Sequence, residues 1–289
     1  MSPTLRAALW MMGAIVSFTS MAVAGREAGI TLDTFEIMMY RSLVGFVIVS
    51  AVLTATRRWS VVPTRRIGLH MLRNAVHFTG QNLWFFAITV APLAQVFALE
   101  FTMPLWVIVL SPLVLGERMT PMRAFSALVG FIGILIVARP TPDTLSIGIV
   151  AAASAAIFFA ITTMSTKRLT RTDSIGCIMF WLTFLQLILG LVCAGYDGDI
   201  ALPDATALPF VIVIALAGLI AHFCFANALD IAPASVVAPF DFVRLPTVAI
   251  VAWLLYKEQI DLWVIVGAVL IFGANYLNVL VETRRNRVA

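Results

Sequence analysis

Two carboxylates stand inside long apolar runs of this chain, Glu100 and Asp241, 141 residues apart. A charge at the centre of a membrane helix costs at least about 2.5–3.5 kcal/mol on insertion scales, so a retained one calls for a partner or a task. Each lies eight residues after an Ala-Pro pair, Ala91-Pro92 and Ala232-Pro233, which is roughly 12 Å along a helix at 1.5 Å per residue. Two roles are open to them. They can hold a coupling proton or the cationic group of a solute, or they can balance buried charge. Arg244 follows Asp241 by three residues on one helix face, and Arg41 is the charge-pair candidate for Glu100.

A second pattern precedes Glu100. Asn74, His77, Gln81 and Trp84 fall at i, i+3, i+7 and i+10, one stripe of a helix. Facing lipid, such a stripe is unfavourable, so it must face protein or water. Gln81 and Trp84 correspond at the same 141-residue offset to His222 and Phe225. An aromatic wall with amide and imidazole groups suits a planar or zwitterionic solute, although interhelical hydrogen bonding also explains it. The candidate substrate-binding set is therefore Asn74, His77, Gln81, Trp84, Glu100, Phe101, His222, Asp241 and Arg244. Pro104 and Pro246, inside the same apolar runs, are hinge candidates, since proline removes a backbone donor and bends a helix.

Other chemistries find no footing. No nucleophile–base arrangement resembles a catalytic triad, and His70, His77 and His222 lack metal-ligand spacing. No glycine loop ends in Lys and Ser/Thr, so neither ATP hydrolysis nor any cofactor is expected. Cys177, Cys193 and Cys224 are odd in number and form no CxxC, which points to neither a disulfide framework nor a metal.

The elements that must position these residues follow from hydropathy. The 289 residues are 61% hydrophobic and 12% charged, with mean hydropathy +1.00. Such a chain cannot cover a water-facing surface, and lipid must be its solvent. The net charge of +4 is then membrane topology rather than nucleic-acid binding. Ten spans of about 20 residues fit the length, at 5–24, 35–55, 69–89, 92–115, 120–138, 145–166, 175–195, 206–228, 233–255 and 262–281. The first run holds only Arg6 before it and is long enough to span, so it reads as a helix although Ala22-Val23-Ala24 resembles a leader cleavage site. Helices are dictated because spans in lipid must satisfy their own backbone groups.

Thirteen Lys and Arg fall on one side of these spans and three on the other, with Arg41, Arg73 and Arg244 inside them. The excess places both termini in the cytoplasm. A bacterial inner membrane, crossed many times, is the expected setting. The 141-residue offset also matches Val96, Phe101, Val107, Leu113 and Glu117 with Val237, Phe242, Val248, Leu254 and Glu258. The halves divide as residues 1–141 and 142–289. Five spans in each half make the copies face opposite ways, the plan of inverted-repeat transporters whose solute binds between the halves. Spans three and four are expected to face spans eight and nine.

The run Ala91-Pro92-Leu93-Ala94, then Pro104, then Leu115-Gly116-Glu117-Arg118, with Ala232-Pro233-Ala234-Ser235, Pro246 and Lys257-Glu258 in the second copy, resembles the EamA-type ten-helix members of the drug/metabolite transporter superfamily. The resemblance covers essentially the whole chain, and Arg41 also suits it. The second copy departs at Lys257, where Gly is usual, and its proline falls one place later, so local helix geometry need not mirror the first half. The resemblance implies a helical basket around a central cavity and gradient-driven transport of amino acids, nucleotide-like metabolites, flavins or toxic cations. Pro92 to Arg118 is most similar to a bacterial group that includes S-adenosylmethionine and flavin importers.

The expected function is secondary, non-ATP transport of a small amphipathic metabolite, with amino acids or related amines first and a nucleoside- or flavin-like solute second. Glu100 and Asp241 are the proton-coupling candidates. A membrane-embedded lipid-modifying enzyme would need a clustered nucleophile or a metal site. The partners expected are a small-molecule substrate and the lipid bilayer, with no nucleic acid, and either a monomer or a homodimer is compatible.

Overall fold

The computed structural model describes residues 3–115, 120–138, 146–231, 243–259 and 261–288. Among them the regular structure is helical throughout. The helices are α1 (Pro3–Ala28), α2 (Thr34–Ala55), α3 (Ile67–Val90), α4 (Leu93–Glu100), α5 (Met103–Leu115), α6 (Pro121–Ala138), α7 (Ile147–Leu169), α8 (Ile175–Ala194), α9 (Leu208–Ile231), α10 (Arg244–Tyr256) and α11 (Leu262–Val288). Taking α4 and α5 as one broken span, these make ten spans. Six runs are long and apolar enough to cross a membrane by composition alone. The helix α3 is more polar, and its polar residues His70, Arg73, Asn74, His77 and Gln81 are buried within the bundle.

Local signals set the helix ends. Asp33 caps α2, accepting from the Glu36 N–H at 2.8 Å, while the Glu36 carboxylate accepts from the Asp33 N–H at 2.9 Å, a reciprocal capping box. Ser146 and Ser174 cap α7 and α8. Ahead of α9, the Ala207 N–H and then the Thr206 hydroxyl hold the Asp204 carboxyl below the usual carboxylate range.

The fourth expected span, 92–115, is broken: α4 stops at Glu100 and α5 starts at Met103. The cause is Pro104. In a continuous helix its nitrogen would face the Glu100 carbonyl, where it has no hydrogen to give and its ring collides. In the first turn of a new helix the missing donor costs nothing. The Thr102 hydroxyl turns back to the Leu99 carbonyl at 2.6 Å, satisfying an acceptor at the break. In the other half, α10 starts at Arg244 and ends at Tyr256, so both its ends are displaced from those of α5 by the repeat offset. Pro246 falls in its first turn. The two helices keep corresponding bounds despite the one-residue proline shift.

The packing follows the same symmetry. Helix α1 lies on α9 and α7 on α3, a pair of contacts exchanged when the halves are exchanged; α2 lies on α8 and α6 on α11. Spans three and eight therefore pack mainly on spans six and one, and meet each other through side chains in the interior. The α6–α11 crossing is backbone-close. A Cβ at Gly133 would lie 2.9 Å from the Gly267 carbonyl oxygen, and one at Gly267 would lie 2.7 Å from that of Gly133. Small residues permit such approaches in membranes. Gly130 abuts Leu105, whereas Gly273 has nothing within 4 Å.

Candidate functional site

Glu100 ends α4, so the break leaves its carboxylate at an interruption of the span rather than along a helix flank. Arg244, the first residue of α10, donates Nη2–H to Glu100 Oε1 at 2.9 Å. Trp84 of α3 donates its indole N–H to Glu100 Oε2 at 2.8 Å. Both charged side chains are largely buried, with 12% of the Glu100 side chain and 6% of the Arg244 side chain accessible. The guanidinium lies about 5 Å from three ring centroids, at 5.0 Å from Phe18, 5.3 Å from Phe97 and 5.1 Å from Phe101. This distance favours cation–π attraction. The cluster joins α1, α3, α4 and α10, hence both halves of the chain.

This corrects one expectation. Glu100 is paired with Arg244, not with Arg41, whose guanidinium instead contacts the Met38 sulfur at 3.8 Å. Arg41 points from α2 toward α8 and α9, where it lines a cleft with Gln186 and His222. Asp241 lies outside the described residues.

The polar stripe of α3 divides by depth. Asn74 is tied to its own helix and to α8: its amide donates to the His70 carbonyl at 2.8 Å, and Gln186 of α8 donates to its backbone oxygen at 2.8 Å. Trp84 belongs to the Glu100 cluster. Between them, His77 faces His222 of α9 with ring centroids 5.1 Å apart. Both ring nitrogens of His77, Nε2 of His222 and Oε1 of Gln81 are buried without hydrogen-bond partners. Orphaned groups of this kind are costly unless water or a ligand visits them. Phe18 connects the two zones. Its ring is perpendicular to that of His222 at 5.7 Å between centroids, and the Arg244 guanidinium lies over it.

Sequence reasoning did not single out Phe18, Phe97, Arg73 or Gln186. The first two sit in mostly apolar runs whose few polar neighbours form no stripe that gives a direction. Arg73 and Gln186, charge and amide inside spans, were the available signal.

The ends of the bundle are tied differently. At the end with few basic residues, Arg26 of α1 pairs with Glu258 beyond α10. It also donates to the Ala91 carbonyl at 2.9 Å and stacks over Tyr256 at 4.7 Å. Glu258 accepts from the Leu93 N–H at 3.0 Å, and Tyr256 donates to Glu27 at 2.8 Å. At the basic end, His70 and Thr64 each contact Asp173 Oδ2 at 3.0 Å. Cys177 joins them, bringing three potential metal-ligand atoms within 4.8 Å of one another, a grouping that linear spacing does not reveal.

The model of the EamA-like transporter family matches this chain twice, over residues 5–139 and 146–280. A riboflavin transporter of Brucella anthropi is 34% identical, covering 73% of this chain and 76% of that protein. An S-adenosylmethionine uptake transporter of Rickettsia felis is 24% identical over 92% of this chain and 89% of that one. A solved crystal structure superposes with TM-score 0.67 at 18% identity, covering 96% of this chain and 98% of that chain, a likeness of fold. A twice-matched family model, over an all-helical membrane bundle whose halves repeat, leads to one conclusion: the chain belongs to the EamA-like transporter family.

Proposed function

We propose that this protein is a secondary importer of a planar, nucleoside- or flavin-like metabolite, moved by alternating access through the interior between the two halves. The observation that carries the reading is the Glu100–Arg244 pair under the Trp84 indole and three phenylalanine rings. An aromatic enclosure with a few fixed polar groups is the lining that a flat heteroaromatic solute needs. The names of the relatives, a riboflavin transporter and an S-adenosylmethionine uptake transporter, support this choice over the amino acid or amine first expected. So does the site itself, because Glu100 is already met by Arg244 and does not offer an open ammonium site in this conformation.

The same pair suggests how transport is driven. Protonation of Glu100 removes the charge that holds Arg244, and with it a bond between the halves. Glu100, with Asp241 at the corresponding place in the second half, is the carboxylate we assign to proton coupling. The break at Phe101–Thr102, with Pro104 opening α5, is the joint about which span four bends, and Pro246 marks its counterpart. Both termini are assigned to the cytoplasmic face of a bacterial inner membrane, on the thirteen-to-three distribution of Lys and Arg.

The test is uptake into proteoliposomes from a panel of riboflavin, S-adenosylmethionine, amino acids and organic cations. The expected result is saturable flux of a flavin or adenosyl compound that the others do not compete away. Flux of amino acids alone would restore the amine reading and sink this one.

A further inference from the structure

Arg41 and Arg73 are buried guanidiniums, 6% and 3% exposed, and among the described residues neither has a carboxylate within ion-pair distance. Arg73 spends its hydrogens on neutral oxygens, Thr166 Oγ1 at 2.9 Å and Asn74 Oδ1 at 3.3 Å. Arg41 shares its cleft with His222, and Arg73 lies one turn from His77 on α3. Such a concentration of positive charge in a low-dielectric interior is unfavourable unless something neutralises it.

Beside Arg41 is a narrow cleft between α2, α8 and α9, with about 10 Å³ of space in this conformation, room for about one water, to which Ser42, Gln186, Gly218 and His222 also contribute. Three of its polar atoms are buried and have no partner: Ser42 Oγ, His222 Nε2 and Gln186 Oε1. The first two can donate to an oxyanion beside the Arg41 guanidinium, and the third can accept from a hydroxyl or ammonium of the same ligand.

We propose that this cleft widens during the transport cycle into an oxyanion subsite that takes the carboxylate or phosphate end of the transported solute, with Arg41 as its charged contact. It rests on the transporter reading and narrows it. Through His222 and Phe18 the subsite is one ring away from Arg244 and Glu100, so a solute can lay its flat part against the aromatic cluster and its anionic end on Arg41. The solute class is then an anionic or zwitterionic heteroaromatic, such as a carboxylated adenosyl compound or a phosphorylated flavin, rather than a neutral flavin. Arg73 supplies field through the Asn74–Gln186 hydrogen bonds and is a positioning residue.

Two measurements test this. First, the detergent-purified protein is titrated with inorganic phosphate and, separately, acetate at constant ionic strength, and the Tm is followed. A ligand that binds only the native state raises it. The expected result is a saturable rise in the wild type that Arg41→Gln loses and Arg41→Lys keeps. No saturable rise with either anion, or an equal rise in Arg41→Gln, overturns the subsite. Second, Arg41→Gln should lower uptake of S-adenosylmethionine at least tenfold relative to its effect on neutral riboflavin, and an equal effect on both also overturns it. Should Arg41→Gln not fold, His222→Gln takes its place, with several-fold weaker phosphate binding expected and unchanged binding contradicting the proposal. Absence of flux for every solute alongside an intact anion-dependent Tm rise would instead defeat the transporter reading and leave the subsite standing.

Discussion

Glu100 and Arg244 are 144 residues apart in the chain and meet at 2.9 Å inside the bundle, Glu100 at the end of α4 and Arg244 at the start of α10. Half-helix ends inside a membrane are where transporters of this architecture hold charged groups. Here the two ends hold each other, and the bond between them is a bond between the halves.

Removing one partner leaves the other charge buried. Glu100→Ala and Arg244→Ala are each expected to destabilise the protein by about 3–5 kcal/mol, while the double variant loses less than the two combined. A double-mutant cycle on thermal unfolding checks this. A coupling energy indistinguishable from zero would mean that the two charges are held independently.

Pro104 interrupts span four at the residue it cannot bond. Pro104→Ala restores a donor opposite the Glu100 carbonyl and should let α4 run into α5. The fold should persist, with stability altered by no more than about 1 kcal/mol, but transport should slow several-fold because the joint is stiffened. Turnover measured beside Tm separates the effects, and unchanged turnover would show that the break is only a static bend.

At the end with few basic residues, Arg26, Glu258, Ala91 and Leu93 lock α1, the α3–α4 turn and the end of α10 together. That end must open in any alternating cycle. Cysteines placed at 26 and 258 in a background lacking Cys177, Cys193 and Cys224, bridged by a bifunctional thiol reagent with a reducible spacer, should stop flux and release it on reduction. Full flux in the cross-linked protein would show that this contact does not move.

Lys257 closes α10 in the left-handed region, φ +56°, with its N–H on the Ala252 carbonyl. A side chain there is strained, and glycine is the natural occupant. Lys257→Gly is expected to stabilise the protein by about 1 kcal/mol, read as a raised Tm. A lowered Tm would mean that the lysine side chain contributes more than its backbone strain removes.

Much of this architecture was legible because lipid leaves a chain few choices. About 20 apolar residues make a span, and the boundaries of α2, α3, α6 and α8 fall within two residues of those read from hydropathy. The stripe through His77, Gln81 and Trp84 gave the buried face of α3, since polarity at that spacing has only one favourable direction. Pairing was less legible. Arg41 and Arg244 are both arginines inside apolar runs, and only the packing of α4 against α10 decides which one reaches Glu100. The restart at Met103 could have been inferred, because proline prefers a first turn to a helix interior. Phe18 could not, since one aromatic ring in an apolar helix has no pattern to betray its role. The meeting of His70, Asp173 and Cys177 draws on α3, the α7–α8 turn and α8, and such convergence is a property of the fold alone.

The most direct test of the account is accumulation of S-adenosylmethionine and riboflavin in proteoliposomes under an imposed inward proton gradient, comparing wild type with Glu100→Gln. Glutamine keeps an acceptor for Trp84 but cannot take up and release a proton. The account predicts gradient-dependent accumulation of one of the two solutes by the wild type, and loss of accumulation with retained solute exchange in Glu100→Gln. No movement of either solute by the wild type, or equal gradient-driven accumulation by the variant, would contradict it.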